Sequence, residues 1–272
     1  MDPDARRDQQ RQLVVLAVTV IGLSRLLDGP LVWVVAVLLL AAMMVGSLQV
    51  MGEGEPAGVP VEALVTPSVA AVGALGAVRV VPLGIALAPA LLLAGLLIDR
   101  ALSIEFTVLG RPTGPTARDR TVLLSLSLLI AFVAFTGVAA AIPGGLVEPA
   151  ASTAGSGSQL SESGLALLAF ADAVIAGLLG YRFAGLRVAT VRDALWSAVT
   201  YAAVIAIAAG LLRAVSLQRL LGPAILTLVL YLWDQFHGAA PSLRRDPRWV
   251  GQALILVVLA MAVVIWNVQL RG

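Results

Sequence analysis

Cysteine and lysine are missing from this sequence, and histidine occurs only once. Without cysteine the chain can form no disulfide bond, no thiolate metal site, no cysteine nucleophile and no lipid-modified cysteine. Charged residues make up 12% of the chain, against about 25% in a soluble globular domain. The 18 basic residues are all arginine and are scattered, so the net charge of +2 does not indicate a nucleic-acid partner.

Apolar residues are what the sequence has in abundance. They make up 60% of the 272 residues, and the mean hydropathy is +0.97. A soluble domain averages about 45–50% apolar residues, so this composition excludes a water-soluble protein. We predict an all-α, polytopic transmembrane bundle that forms a single integral membrane domain and has the lipid bilayer as its partner. The bias toward alanine, leucine, valine and arginine suggests a bacterial gene, and therefore the cytoplasmic membrane of a bacterium.

The apolar runs are long enough for about nine membrane crossings. The 36-residue run at 63–98 is too long for one crossing and contains Pro67, Arg79, Pro82 and Pro89. Splitting it at Arg79 gives two spans, whereas a single broken crossing would leave eight in all. The nine predicted spans cover residues 13–27, 31–51, 63–78, 80–98, 121–142, 164–180, 194–212, 220–236 and 250–270.

Two hydrophilic segments divide the predicted spans. Residues 99–120 contain four arginines and are predicted to be the main polar loop. Residues 143–163 are rich in glycine, serine and alanine, which is typical of a flexible linker. This linker separates a front helix group, residues 13–142, from a back helix group, residues 164–270.

The distribution of arginine predicts the orientation. With a cytoplasmic N-terminus, the nine-span arrangement places 13 arginines on the inner side and 5 on the outer side, as the positive-inside rule favours. Arg-Asp dipeptides at 7–8, 118–119, 192–193 and 245–246 each precede a span that runs outward. An aspartate at the start of a helix can cap free N–H groups while its arginine neighbour binds lipid phosphate.

Asp172 is the most suggestive single residue, because it lies within a predicted span. A carboxylate near the bilayer midplane costs at least about 2.5–3.5 kcal/mol unless it is paired, protonated or hydrated, and such residues often mark ion or proton pathways. Its candidate partners are Arg79 and the hydroxyls of Ser197, Thr200 and Tyr201. The alternative is a structural role, in which a neutral or hydrogen-bonded Asp172 holds helices together.

A second polar group follows the eighth predicted span. Asp234 and His237 are spaced i, i+3 on one helix, so an acid–imidazole pair is possible there. With three arginines they could bind an anionic lipid headgroup or a polyprenyl phosphate. Alternatively, these side chains simply anchor a span end at the interface. The three arginines are Arg244, Arg245 and Arg248.

A stripe of small residues on the seventh span is predicted to face protein. Ala198, Ala202, Ala206 and Gly210 recur every fourth residue, which lets another helix approach closely. Other membrane-protein subunits are therefore possible partners through this stripe.

Three functions remain open on the sequence. The transporter or permease-like bundle is slightly favoured by Asp172, the broken 63–98 run and the small-residue stripe. The alternatives are a membrane scaffold or accessory subunit, and an interfacial lipid-modifying enzyme centred on Asp234, His237 and Arg244. We identify no catalytic residue, no metal site and no cofactor, because the sequence has no P-loop spacing and too few metal ligands, so an enzyme is the less favoured class.

Overall fold

The chain is almost entirely helical. The computed structural model describes residues 3–52, 58–111, 116–146, 161–187, 190–214, 220–239 and 242–269. Of these residues 87% are helical and none lies in a strand, which confirms the all-α prediction. The described helices are α1 (Pro3–Leu23), α2 (Leu31–Gly52), α3 (Val61–Ala77), α4 (Leu87–Leu109), α5 (Ala117–Ala141), α6 (Glu162–Gly185), α7 (Val191–Ala214), α8 (Leu221–Gly238) and α9 (Pro247–Gln269).

Seven of these nine helices are long and apolar enough to cross a membrane, judged by length and composition. The two that fall short are α1, whose first turns are polar, and α8, whose last turn contains Asp234, Gln235 and His237. The nine predicted spans therefore correspond to nine helices, of which seven have the full character of a span. Most of the predicted linker, residues 147–160, lies outside the described residues.

The broken apolar run folds as two helices, but the break is longer than predicted. Between α3 and α4 the chain forms a short 3-10 turn and a bend at Gly84, whose φ is +147°. Pro89 lies in the first turn of α4, where its missing N–H leaves no hydrogen bond unmade. Helix α4 then continues to Leu109, so the prediction of a loop from residue 99 is wrong over its first half.

Local hydrogen bonds explain why α4 continues through its charged residues. Asp99 and Ser103 both accept hydrogen bonds from the side-chain amide of Gln10 in α1, at 2.8 and 2.9 Å. Asp99 and Ser103 of α4 therefore lie against the polar first turns of α1. Because they join the first half of α1 to the second half of α4, these bonds also show that the two helices are antiparallel.

Two of the four Arg-Asp pairs lie at helix starts that are capped in the predicted way, whereas Asp8 lies inside α1, which already begins at Pro3. At α5, Thr116 and Asp119 form a capping box in which each side chain bonds the other's backbone N–H. At α7, the hydroxyl of Thr190 accepts from the backbone N–H of Asp193 at 3.1 Å. These caps supply partners for N–H groups that a helix start leaves free.

Helix direction alternates along the chain from α1 to α8. Gln10 near the start of α1 meets Ser103 near the end of α4, and Glu62 at the start of α3 lies beside Gly185, the last residue of α6. We call the end at which α1, α3, α5 and α7 begin the basic end, because arginines cluster in the first turns of α1, α5 and α7 or just before them. The other end is called the opposite end.

Helix α3 is the centre of the bundle. In its spanning segment 78% of residues are buried, and it packs against α2, α4, α5 and α6. Its contact with α5 is parallel and very close, since a Cβ on Gly73 would lie 2.7 Å from the Ala134 Cα. One turn further along, Gly76 meets the backbone of Gly137 in the same way. Small residues therefore set the spacing of the two central helices.

Helices α6 and α7 form a tightly packed antiparallel hairpin. Gly177 of α6 faces Ala198 and Ala202 of α7, with the Ala202 Cβ 3.4 Å from where a Cβ on Gly177 would lie. These two members of the small-residue stripe thus pack within the chain. The possible use of the stripe for binding other subunits stays a prediction.

Candidate functional site: buried ion pairs at the basic end

The most deeply buried charges form an ion pair between α4 and α6. Arg182 donates from Nε to Glu105 Oε1 at 2.9 Å and from a terminal nitrogen to Glu105 Oε2, a bidentate arrangement. The hydroxyl of Thr66 in α3 donates to Glu105 Oε1 at 2.5 Å. The Glu105 side chain is fully buried and that of Arg182 is 5% exposed. Three helices are therefore joined by one carboxylate.

The position of this group along the helices follows from the sequence. Thr66 lies five residues after the start of α3, Glu105 four residues before the end of α4, and Arg182 three residues before the end of α6. At 1.5 Å per residue, each lies roughly 4–8 Å inside the basic end of the bundle. Burying one of these charges alone would be very costly, so the pair persists because both charges are present.

A second ion pair joins α8 to the segment that follows α6. Asp234 is fully buried and accepts a hydrogen bond from Arg187 at 2.7 Å and another from the Tyr201 hydroxyl at 2.7 Å. The Arg187 side chain is 34% exposed. Burial lowers the pKa of Arg187, but the hydrogen bond and negative charge of Asp234 outweigh it and raise the pKa above its ordinary value. Arg187 therefore keeps its charge.

Aromatic rings surround this second pair. The Trp233 indole N–H donates to Thr200 at 3.2 Å, and the His237 ring lies 5.2 Å from the Trp233 ring and 6.0 Å from the Tyr201 ring. Large rings and hydrogen bonds exclude water from Asp234 while leaving Arg187 at the surface.

A third charged cluster lies at the opposite end of the bundle. Arg25 donates to the carbonyls of Arg79 and Val81, and Arg79 donates in return to the carbonyls of Ser24 and Leu27. Each arginine thus caps the carbonyl end of the 3-10 turn that carries the other. Burial, and then the charge of Arg79, lower the pKa of Arg25.

The predicted pathway residues are brought together only in part. Asp172 is on the buried face of α6, with 2% of its surface exposed. Its candidate partner Arg79 instead has its described hydrogen bonds with the turn between α1 and α2. Tyr201 and Thr200 are bound to Asp234 and Trp233 of α8.

The predicted headgroup residues are divided between the interior and the surface. Asp234 is buried, whereas His237 and the three arginines are exposed. Among the described hydrogen bonds, none joins Asp234 to His237. Arg244 stacks on the Phe236 ring at 4.7 Å and donates to the carbonyl of His237 at 3.4 Å. Arg245 ends the 3-10 turn before α9, and Arg248 lies in the first turn of α9.

Sequence reasoning missed Glu105, Arg182, Thr66 and Arg187. Glu105 was placed in the predicted polar loop, where a charge needs no partner. The sequence does contain a signal, because Glu105 lies in the apolar stretch 104–109 and Arg182 in a run of small and apolar residues. Isolated opposite charges in two apolar helices are candidates for an interhelical pair.

The bundle also contains a cavity without charge. An apolar groove of about 130 Å³ lies between α2 and α6, with α3 and α5 as its floor. Its lining on α2 begins at Val32, close to the opposite end, and its lining on α6 ends at Leu178, one turn before Arg182. Apart from the indole N–H of Trp33, the lining side chains are apolar.

Taken together, the fold and the buried pairs are those of a multi-pass helical membrane protein. No group of three or more metal-binding side chains occurs among the residues that the structure describes. No protein-family model matches the sequence, and comparison with curated proteins and with solved structures found no match.

Proposed function

We propose that this chain is a carrier of the permease type in a bacterial cytoplasmic membrane, with its basic end in the cytoplasm. The observation that supports this most is the Glu105–Arg182 pair, which is fully buried between apolar helices. Ionisable residues inside a membrane domain are costly, and in membrane proteins they commonly belong to ion or substrate pathways. The excess of arginine at the basic end supports its cytoplasmic location.

The distribution of polar contacts supports a carrier with one end closed. Both ion pairs lie at the basic end. The first joins α3, α4 and α6 to one another, and the second joins the segment after α6 to α8. The apolar groove lies toward the opposite end. Exchange between a closed and an open basic end would require the ion pairs to separate, as in alternating access.

Asp172 has a distinct role in this proposal. It lies on α6 ten residues before Arg182, which is roughly 15 Å toward the opposite end. We assign it to the pathway that opens when the basic end separates. Asp172→Asn should therefore change the transport rate while leaving the closed basic end intact.

The natural absence of cysteine makes opening of the basic end directly measurable. Ser68→Cys places a thiol on α3, two residues from Thr66, at a side chain that is 1% exposed. A membrane-impermeant maleimide applied to the basic side of reconstituted vesicles should label this thiol slowly in the parent chain. Labelling should be at least several-fold faster in Glu105→Gln/Arg182→Gln, which removes both charges and leaves none unpaired.

A second thiol distinguishes opening of the basic end, which we call the gate, from unfolding of the bundle. Thr136→Cys lies in the second half of α5 at a side chain that is 5% exposed, roughly 13 Å further from the basic end than the level of Thr66. It should stay unlabelled in every background. If Ser68→Cys stays unlabelled in the parent and the double variant, or if both thiols become labelled together, the gate does not exist and the carrier proposal fails.

A scaffold function is the second candidate, favoured by α9. None of the spanning segment of α9 is buried in the chain, and its only extensive described contact is with the 3-10 turn before it. An apolar helix without an intramolecular partner is suited to contact another membrane protein. Removing α9 should then shift the native complex to a lower mass on native gels without changing bundle stability, whereas an unchanged complex would oppose a scaffold.

The lipid-modifying enzyme is not favoured by the geometry. Both carboxylate oxygens of Asp234 are occupied by Tyr201 and Arg187, and the His237 side chain is exposed. A general base must reach the proton that it abstracts, and Asp234 in this arrangement is enclosed.

A further inference from the structure

The apolar groove is open toward the surroundings of the bundle at membrane depth. Helix α2 packs on α3, and α6 packs on α3 and α5, but α2 and α6 make no extensive contact with each other in the described chain. Val174 of α6 lines the groove and is 44% exposed. Beside the groove, Val37 and Leu38 of α2 are more than half exposed. The groove is thus continuous with the apolar outer surface of two helices that are long enough to span a membrane.

The floor of the groove is lined by glycine. Gly73, Gly76 and Gly137 come from the close contact between α3 and α5, where no side chain projects. On the α2 wall the small side chain of Ala36 leaves further space. The groove exists because residues that let two helices approach closely also leave a depression beside their contact.

Positive charge lies one helical turn beyond the groove. Arg79 follows the lining residue Gly76 by three residues, at the opposite end. Its guanidinium makes three described hydrogen bonds out of five possible N–H donors. Among the described residues the carboxylate bound to it is that of Asp28, whose side chain is 96% exposed, so it neutralises little of the charge. Arg25 adds a second positive charge beside it.

We propose that the groove binds one acyl chain of an anionic phospholipid whose phosphate lies at Arg79 and Arg25. A lining that is apolar apart from the indole N–H of Trp33 disfavours a polar occupant, because most polar groups there would find no hydrogen-bond partner. At this depth the surroundings are hydrocarbon, which supplies the chain. The arginine pair complements an anionic headgroup. The proposal does not depend on the carrier function.

The size of the groove favours a lipid chain over a partner helix. An engineered apolar cavity of about 150 Å³ in another protein holds one benzene molecule, so about 130 Å³ holds a short stretch of hydrocarbon. A helix with its side chains is about 10–12 Å across and cannot enter such a space.

Trp33 lines the groove and serves as the probe. In a variant that keeps Trp33 and replaces the other four tryptophans by phenylalanine, quenching by brominated phosphatidylglycerol and brominated phosphatidylcholine is compared in mixed vesicles. We expect phosphatidylglycerol to be preferred roughly 25-fold, as about 1 kcal/mol from each of two arginines near the headgroup would give. Arg79→Gln should reduce the preference to about fivefold. The replaced residues are Trp196, Trp233, Trp249 and Trp266.

Two neighbouring substitutions separate groove binding from general lipid contact. Ala36→Phe fills the groove and should abolish the preference, whereas Val37→Phe, on the exposed face of α2, should leave it unchanged. Native mass spectrometry of the chain with all tryptophans present gives the same comparison through retained phosphatidylglycerol, should the single-tryptophan variant not fold. Equal quenching by both lipids in the parent, or equal effects of Ala36→Phe and Val37→Phe, would overturn the proposal.

Discussion

The spanning segments of α3 and α9 have similar lengths, 20 and 21 residues, and opposite surroundings. The spanning segment of α3 has a mean hydropathy of 1.7 and is 78% buried, whereas that of α9 has a mean hydropathy of 2.4 and is 0% buried. The more apolar helix is therefore the less buried one. In a membrane, hydropathy reports solubility in lipid and does not report contact with protein, because lipid chains are as apolar as leucine.

Side-chain size explains the difference between the two helices. Helix α3 is rich in alanine, glycine, serine and threonine, which let α5 approach to backbone contact at Gly73 and Gly76. Helix α9 is rich in leucine, valine and isoleucine, and a Cβ added at its Gly251 would have nothing within 4 Å. Close packing and buried hydrogen bonds hold α3 in place, and α9 has neither in the described chain.

The largest loss of stability is expected on removing Glu105, whose carboxylate accepts a hydrogen bond from Thr66 of α3. Glu105→Ala leaves Arg182 buried without its partner and should lower the free energy of unfolding by about 3–5 kcal/mol. Reversible unfolding in detergent measures the change. Asp8→Ala removes an exposed carboxylate whose partner is Arg11 and should change stability by less than about 1 kcal/mol. Similar losses in both variants would show that burial does not set the strength of these pairs.

Glycine substitution tests the packing of α3 directly. Gly76→Leu places a side chain against the backbone of Gly137 and should destabilise by about 3 kcal/mol, since the neighbouring backbone cannot move aside easily. Gly251→Leu in α9 meets no atom and should be close to neutral. The midpoints of thermal unfolding in one detergent provide the measurement. A tolerated Gly76→Leu would mean that α3 and α5 are not held at this distance.

Removing one hydrogen bond from the second ion pair should destabilise the protein less than removing the carboxylate of the first pair. Tyr201→Phe removes the hydroxyl that donates to buried Asp234 and should cost about 1.5–3 kcal/mol, as for hydrogen bonds to charged groups. Tyr231→Phe on α8 has no described hydrogen bond to lose and is the matched control. A double-mutant cycle with Asp234→Asn isolates the coupling. Additive losses would indicate that the hydroxyl and the carboxylate do not interact.

The smallest effect is expected on α9. Leu254→Ala truncates a side chain that is 61% exposed and should change stability by less than about 0.5 kcal/mol. Leu75→Ala in α3 truncates a side chain that is 1% exposed and should cost at least about 2 kcal/mol. Both are measured by unfolding in the same detergent. A large loss for Leu254→Ala would show that α9 packs against protein in solution, for example in a second copy of the chain.

Much of the fold could be predicted from the sequence, because the apolar runs are long and their ends are marked. The break within 63–98 follows from its prolines and arginine, and the Arg-Asp dipeptides mark capped helix starts at Asp119 and Asp193. The end of α4 was missed, since Asp99 looks like a loop residue until Gln10 of α1 is seen to bind it.

The candidate site was harder to predict than the helices. The sequence marks Tyr201 as a candidate partner of Asp172 and Asp234 as a candidate headgroup ligand. Only the packing of α7 on α8 shows that the two side chains bind each other. Glu105 and Arg182 are 77 residues apart, and no local pattern links them.

The sequence by itself determined that the chain is helical, apolar and suited to a membrane, and roughly where most of its helices run. These properties depend on transfer of side chains and backbone from water to hydrocarbon, which acts on each segment separately. Only the tertiary structure decided which charges are paired, which helix is central and where a groove is left. Those features depend on distances between side chains far apart in the chain, because in hydrocarbon the apolar faces are nearly equivalent and close packing, hydrogen bonds and charge pairing select among them.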